Sequence, residues 1–387
     1  MKDRGNSPLD HALVCVAGDR RKFLGMLRAG AVAAPLLALF YLFASAFFIG
    51  CVTTQSVKIT AAGSAGHLIS GFTECPNNPV LETGNPGDFD AGSVRDGKIW
   101  YARGSYWQLY TGAASATSPY SPTIGIAYSS DGCLWRKGGQ IIVPNPKMTR
   151  CAGGVFSPGA YYDAPVDVLY VYPSCAATPE DWYSGPIYIA QMHAGAGKSW
   201  TSPSSYAWDY GGIPVLSAGQ DWEGTQGVYA GDVSLVNGTY YMFYSSNTGG
   251  VLYQVGIATA RSPSGPWTKS ASNPITSSTT NFEEPAIAQL GNGDIVLFGD
   301  DVGIALHGIN VAVGNGDAIT TAAGWHQQPI FEFPDTELWS LAEIGSQSIV
   351  EAPDGRWLMC YDGMVSGSVT DARTIGCARL SLDSIGF

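Results

Sequence analysis

Charged residues are scarce in this sequence: Asp, Glu, Lys and Arg make up 13% of 387 residues, whereas hydrophobic residues make up 45%. A chain this apolar is not expected to be disordered. Lys and Glu are few, while 49 Gly, 23 Pro, 11 Trp, 20 Tyr and 14 Phe favour short strands and turns over long helices. The composition therefore predicts an all-β protein.

Basic residues are in the minority, with 20 Lys and Arg against 32 Asp and Glu, for a formal net charge of -12. So acidic a chain is a poor nucleic-acid binder, and a polyanionic substrate would be repelled. The net negative charge would have little effect on the binding of a neutral glycan. The five His are scattered and no Cys-x-x-Cys pair occurs, so we predict neither a zinc site nor any cofactor.

The N-terminal segment has the pattern of an export signal. Arg20 and Arg21 precede an uncharged apolar stretch over residues 29–50, an arrangement that resembles a twin-arginine signal. Cys51 closes a lipobox-like sequence, and residues 44–46 offer an ordinary cleavage site instead. An uncleaved anchor is the alternative, because 22 apolar residues could span a bilayer. We expect residues 1–50 to be a signal or anchor and the protein to be periplasmic or at the cell surface.

Six cysteines follow this segment, and an even number in an exported chain permits disulfides. Cys360 and Cys377 lie in two adjacent strand-like segments, so we predict that they pair. The partners of the other four are left open: Cys75, Cys133, Cys151 and Cys175.

Two short patterns recur five times along the chain. The first is often a Gly followed by aromatic and aliphatic residues, at residues 104–110, 168–172, 238–244, 293–298 and 355–361. The second follows as a neighbouring strand, at residues 124–128, 187–190, 255–259, 309–313 and 375–379.

This repeat is too long for a solenoid and is not expected in a sandwich. Five units of about 62 residues suit four-stranded antiparallel blades. We predict a five-bladed β-propeller over residues 76–387, preceded by a flexible tether at residues 51–75.

Residues 228–244 and 255–267 resemble two consecutive motifs of the family 43 glycoside hydrolases, which are five-bladed propellers. The sequence departs from them where Tyr229 and Gly231 replace the family's Trp and Pro. Ser346 and Gln347 stand near the place of an expected His. The resemblance implies a glycosidase (O-glycosyl hydrolase), of arabinosidase or xylosidase type.

Aligning blade one on blade three needs no gap and sets residues 95–98 against residues 229–232. The same inner-strand position then holds Asp96, Ser157, Ala230, Glu284 and, roughly, Ser346 or Gln347. Because inner strands line the central channel, groups at this position should converge at one mouth. Glycoside hydrolysis needs two such carboxyl groups, one protonated and one ionised.

Following the family's pattern, we expect Asp96 to be the general base, Glu284 the general acid and Asp232 a carboxylate that modulates the pKa of the acid. Asp90 could be the base instead, although Glu223 fills the matching place in blade three, which indicates a structural loop. Glu343 is a further candidate acid. For each carboxylate, the alternative is an ordinary surface turn.

Four aromatic residues are candidate sugar-stacking platforms: Trp100, Phe156, Tyr229 and Trp182. Packing between blades is the alternative for each. The sequence thus predicts a monomeric, exported glycoside hydrolase of neutral oligo- or polysaccharides, attached to a membrane only through its N-terminal segment or a lipid. The alternative function is a non-catalytic carbohydrate-binding propeller.

Overall fold

A computed structural model of the chain describes residues 68–117, 120–179, 186–247, 252–301, 308–333, 338–365 and 372–383. The predicted signal or anchor, Cys51 and Trp182 lie outside these residues. No helix in the described ranges has the length and apolar character needed to cross a bilayer. The helices found there are short 3-10 turns: Ala164–Val166, Pro203–Ser205, Asp209–Gly212, Asp221–Glu223, Gly316–Thr320, Ala322–Gly324 and Leu338–Ser340.

The strands form five antiparallel sheets, which are the blades of a propeller. The strand β1 (Ile69–Glu74) precedes blade one, which contains β2 (Ser93–Ala102), β3 (Ser105–Ala113), β4 (Thr123–Ser129) and β5 (Trp135–Ile142). Blade two contains β6 (Gly154–Asp163), β7 (Val168–Ala176), β8 (Tyr188–Ile189), β9 (Met192–Ala194) and β10 (Tyr206–Trp208). Blade three contains β11 (Tyr229–Val236), β12 (Thr239–Ser246), β13 (Gln254–Ala260) and β14 (Thr268–Lys269).

Blade four contains β15 (Glu283–Gln289), β16 (Asp294–Asp300), β17 (Gly308–Asn315), β18 (Trp325–Gln327) and β19 (Phe331–Glu332). Blade five contains β20 (Glu343–Glu351), β21 (Trp357–Met364) and β22 (Arg373–Leu382). The inner strands β2, β6, β11, β15 and β20 contact one another in a closed ring. The predicted five-bladed, all-β fold is confirmed. In blade two the second pattern forms only the short strand β8, and β9 supplies most of the third-strand pairing.

Apolar side chains fill the spaces between consecutive blades, because each strand has one face toward each neighbour. On β12, Met242 and Tyr244 pack with residues of blade two. Tyr241 and Phe243 alternate with them and pack with residues of blade four. This alternation explains why the second strands are apolar on both faces.

The fourth strand of blade five comes from the start of the propeller. Strand β1 pairs with β22, with Ile69 opposite Leu382 and Glu74 opposite Ala378. The carboxylate of Glu74 also accepts a hydrogen bond from the Tyr361 hydroxyl at 2.7 Å. The propeller therefore begins before residue 76, and the prediction that the tether extends to residue 75 is wrong. The sequence missed β1 because it carries neither repeated pattern.

Three disulfides connect the described cysteines. Cys360 and Cys377 are bonded across β21 and β22, as predicted. Cys151 is bonded to Cys175, and Cys75 to Cys133. The last bond attaches the segment after β1 to the turn before β5.

We expect a chain beginning at residue 75 to melt about 10 °C below one beginning at residue 65, because it lacks the pairing of β1 with β22. Thermal unfolding followed by circular dichroism measures this difference. The variant Cys75→Ser in the longer chain is the control, since it removes the disulfide and keeps the strand. Equal melting temperatures for the two chains would show that β1 is dispensable.

Candidate active site

Each inner strand contains a β-bulge at the same level of the propeller. The strand registers shift between Arg95 and Lys98, Phe156 and Gly159, Tyr229 and Asp232, Glu283 and Ala286, and Gly345 and Ser348. The second residue of each bulge has a positive φ: Asp96 (52°), Ser157 (36°), Ala230 (51°), Glu284 (49°) and Ser346 (49°). These are the positions that the repeat alignment made equivalent, so the predicted register is confirmed.

Side chains of the preceding blade support this unusual backbone. In four blades the amide of the positive-φ residue donates to a side-chain oxygen on the second strand of the preceding blade. The pairs are Ser157 with Thr111 (2.9 Å), Ala230 with Ser174 (2.9 Å), Glu284 with Ser245 (2.8 Å) and Asp96 with Asp362 (3.3 Å). A bulge removes ladder hydrogen bonds, and these contacts replace them.

The bulges enclose a cavity at the central channel, with about 320 Å³ of space including its opening. All five blades contribute to it. Its lining residues are Asp96, Gly97, Lys98, Ser157, Pro158, Gly159, Ala230, Gly231, Asp232, Glu284, Pro285, Ala286 and Gln347. The three carboxylates that the sequence analysis selected therefore share one cavity.

Asp96 is held in its ionised form. Burial alone would raise the pKa of this carboxyl. The Arg95 guanidinium at 2.7 Å, a hydrogen bond from Thr111 and the charge of Arg373 together lower the pKa below its ordinary value. The Ser346 hydroxyl also donates to Asp96, at 3.4 Å. A buried carboxylate that stays ionised is suited to act as a base.

Glu284 has the opposite shift. Burial raises its pKa to about 8, and the charges of Asp96 and Glu283 act in the same direction. Its Oε1 accepts a hydrogen bond from the Ser157 hydroxyl at 2.8 Å, and Ser346 also contacts its side chain. Ser346 thus lies between the two carboxyl groups. Glu284 is protonated near neutral pH and can donate a proton.

Glu283 is the neighbouring acid. Burial raises its pKa to about 7, although a hydrogen bond from the Tyr229 hydroxyl opposes that shift. Glu283 precedes the positive-φ position, whereas Glu284 occupies it and lines the cavity. The two glutamates are therefore adjacent and have similar pKa values, but only Glu284 lines the cavity.

Asp232 forms an ion pair with Lys98 across the channel, from blade three to blade one. Its second oxygen accepts the amide of Ile287 at 3.0 Å. We expected the negative charge of Asp232 to raise the pKa of Glu284. Because Lys98 balances that charge, Asp232 contributes little to this effect. Asp96 and Glu283 supply the negative charge that acts on Glu284.

A second group of charges lies in blade five beside the bulges. Arg373 donates to Asp362 at 2.9 Å and to Glu343 at 2.7 Å. Asp362 in turn accepts the amide of Asp96. Glu343, the further candidate acid, is thus paired with an arginine and does not line the cavity.

Asp90 does not line the cavity at the central channel. Its carboxylate accepts hydrogen bonds from the Tyr110 hydroxyl at 3.0 Å and from Lys137 at 2.6 Å. Glu223 accepts from Tyr244 and Lys269 in the same way in blade three. The alternative base is therefore a repeated structural carboxylate.

The aromatic candidates are largely packing residues. Trp100 is buried between blades one and two against Trp200, so its predicted role as a sugar platform is wrong. Phe156 and Tyr229 are buried together beside the bulges, where Tyr229 positions Glu283. Their side chains are only 4% exposed, which leaves little surface for stacking on a sugar.

Sequence reasoning missed the basic residues of the site, Arg95, Lys98 and Arg373. Arg95 and Lys98 flank Asp96 in the repeat alignment, so their proximity to the site could have been inferred. Arg373 begins β22, and its position in the sequence gives no indication that it lies near the site. Among the described residues, no three His, Cys, Asp or Glu side chains are arranged to hold a metal ion.

Residues 173–295 match the family model of glycosyl hydrolases family 43, which covers less than half of this chain. A family 117 glycoside hydrolase from the marine bacterium Zobellia galactanivorans is 16% identical, with a TM-score of 0.61, over 82% of this chain and 92% of that chain. The α-L-arabinofuranosidase of Lactobacillus brevis is 14% identical, with a TM-score of 0.54, over 75% of this chain and 92% of that chain.

The endo-arabinase of Bacteroides thetaiotaomicron is 13% identical, with a TM-score of 0.51, over 79% of this chain and 98% of that chain. A search of curated proteins found no match. These likenesses confirm the resemblance to five-bladed propeller glycoside hydrolases.

We expect Lys98→Met to lower the free energy of unfolding by about 3 kcal/mol, because it leaves Asp232 as a buried, unpaired carboxylate. Denaturant unfolding measures this loss. The double variant Lys98→Met/Asp232→Asn should recover at least half of it, since the uncompensated charge is gone. A double variant no more stable than Lys98→Met would contradict the importance of this ion pair.

Proposed function

We propose that this protein is a glycoside hydrolase with Glu284 as general acid and Asp96 as base. One observation carries the proposal: two buried carboxyl groups of different blades line one cavity, and their pKa values are shifted in opposite directions. Pairs of carboxyl groups separated in this way are characteristic of acid–base catalysis at a glycosidic bond.

In this mechanism the Glu284 carboxyl donates its proton to the glycosidic oxygen as the bond to the anomeric carbon breaks. The Asp96 carboxylate accepts a proton from the attacking water, and its negative charge favours the oxocarbenium-like transition state. Arg95 keeps Asp96 ionised, and Ser346 orients both carboxyl groups. Burial keeps Glu284 protonated.

The proposed substrates are neutral oligo- or polysaccharides of arabinose or xylose. The charges support a neutral ligand, because Lys98 and Arg373 are already paired with carboxylates and the chain has a net charge of -12. An α-L-arabinofuranosidase and an endo-arabinase are among the structurally similar proteins, which supports the sugar class.

We further propose that the protein acts outside the cytoplasm. The three disulfides support this location, since such bonds persist in oxidising compartments. The twin-arginine pattern and the apolar stretch at residues 29–50 agree with it. Attachment to a membrane would pass through this segment or through a lipid on Cys51, and the propeller would act as a monomer.

We expect Glu284→Gln to reduce kcat/KM on alkyl or natural glycosides by a factor of about 10² to 10⁴. Aryl glycosides with an acidic leaving group should lose far less activity, because that group departs without a proton. Asp96→Asn should lose activity on both kinds of substrate. Steady-state kinetics on a panel of arabinosides and xylosides measures these effects.

Glu283→Gln is the matched control, because Glu283 is adjacent, buried and also has a raised pKa. It should retain activity at low pH. If Glu283→Gln instead shows the leaving-group dependence, the acid is Glu283. If the wild type binds an immobilised glycan but hydrolyses no glycoside, the protein is a carbohydrate-binding propeller.

The pH dependence of kcat/KM should be bell-shaped. Activity should fall as pH rises through about 8, where Glu284 loses its proton, and at acidic pH below the ordinary Asp range, where Asp96 becomes protonated. In Glu283→Gln the alkaline limb should move to lower pH, because a charge that raises the pKa of Glu284 is removed. An alkaline limb that does not move would exclude this coupling.

A further inference from the structure

A second cavity lies on the outer side of blade one. It runs between the segment at residues 77–90 and the first residues of strand β5, and it has about 1,090 Å³ of space including its opening. This cavity, called here the blade-one groove, exceeds the catalytic cavity in volume and shares no lining residue with it. Without the open solvent at its mouth it measures about 540 Å³, which is within the range of small-molecule sites.

The blade-one groove contains a buried carboxylate with one free oxygen. Asp90 is 2% exposed, and its Oδ2 accepts the hydrogen bonds of Tyr110 and Lys137. Among the described residues no donor reaches Oδ1. Oδ1 does not belong to the fully buried polar atoms that lack a partner, so it keeps contact with solvent. A ligand or water in the groove can therefore donate a hydrogen bond to it.

Two other carboxylates, in blades three and five, also accept a hydrogen bond from a tyrosine hydroxyl, but each of them uses both oxygens. In blade three, Glu223 accepts from Tyr244 and Lys269 on one oxygen and from the amides of Gly219 and Gln220 on the other. In blade five, Glu74 accepts from Tyr361 on one oxygen and from Asn78 on the other. Only Asp90, of these three, leaves an oxygen unpaired and lines a groove.

The wall of the blade-one groove contains an aromatic side chain. Trp135 is partly exposed, and its indole N–H already donates to the carbonyl of Gly132 at 2.8 Å. The adjacent Leu134 is 61% exposed. Trp135 therefore contributes an apolar ring surface and needs no hydrogen bond from a ligand.

We infer that the blade-one groove binds a neutral saccharide chain. Such a ligand offers hydroxyl donors to Asp90 Oδ1 and an apolar C–H face to Trp135. Lys137 balances the charge of Asp90, and the lining also contains Glu82, Asp88 and Arg136, so acidic and basic groups are mixed in the groove. The inference rests on the proposed function, since the occupant is a distant part of the polysaccharide that is cut at the catalytic cavity.

The test compares two pairs of matched variants in the Glu284→Gln background. Asp90→Asn and Trp135→Ala alter the blade-one groove. Glu223→Gln and Trp267→Ala alter blade three, where Trp267 directly precedes the fourth strand β14 as Trp135 begins the fourth strand β5. Retention is measured by native electrophoresis through gels containing arabinan or arabinoxylan, and melting temperature is measured for each variant.

We expect about tenfold weaker binding to the polysaccharide for Asp90→Asn and Trp135→Ala, the loss of one charge-assisted hydrogen bond or one ring contact. The blade-three variants should bind as the parent does. In the active background, the groove variants should leave hydrolysis of small chromogenic glycosides within twofold of wild type. Their rate on dilute polysaccharide should fall about tenfold.

Unchanged retention of both groove variants would overturn the inference, as would absence of retention for the parent on every gel. Loss of activity on small glycosides in a folded Asp90→Asn would also overturn it, because Asp90 would then belong to catalysis. If the wild type hydrolyses nothing but the groove variants alone lose retention, the hydrolase proposal fails and the groove is a saccharide site.

Discussion

The bulge in each inner strand determines where the side chains of the candidate site point. A left-handed φ at a residue other than glycine costs about 1–2 kcal/mol, and five such residues lie at one level. Hydrogen bonds from the preceding blade offset part of this cost, through Thr111, Ser174, Ser245 and Asp362. Because each supporting group belongs to a neighbouring blade, the geometry of the site depends on a closed ring. Closure in turn includes β1, which completes blade five.

Burial and the charges around each carboxyl group separate the pKa values of Asp96 and Glu284. Asp96 and Glu284 occupy the same position in two blades, and both are buried. Asp96 follows Arg95, whose charge and hydrogen bond, together with Thr111 and Arg373, lower the pKa despite burial. At Glu284, burial raises the pKa, and the charges of Asp96 and Glu283 add to it. The same backbone position thus holds a carboxyl group with a lowered pKa in blade one and one with a raised pKa in blade four.

The sequence predicted the fold, the register of the inner strands and one disulfide, because these follow from patterns that recur within the chain. It could not predict that residues 69–74 close blade five, since their partner β22 lies some 300 residues away and β1 carries no repeated pattern. The role of Asp90 could not be decided either, because acidic residues occur beside aromatic residues in several loops. The pair of Lys98 and Asp232 joins non-adjacent blades, which only the three-dimensional structure reveals.

The small residues of the ring are as important to the site as the charged ones. Ser157, Ala230 and Ser346 fill three of the five equivalent positions and leave space that larger side chains would occupy. Gly159 packs so closely on Gly231 that a Cβ would lie 1.6 Å from the Gly231 carbonyl oxygen. The absence of a side chain at Gly159 therefore lets the inner strands of blades two and three approach each other closely. A saccharide bound at this mouth would lie over small side chains between one protonated and one ionised carboxyl group, an asymmetry obtained from five similar strands.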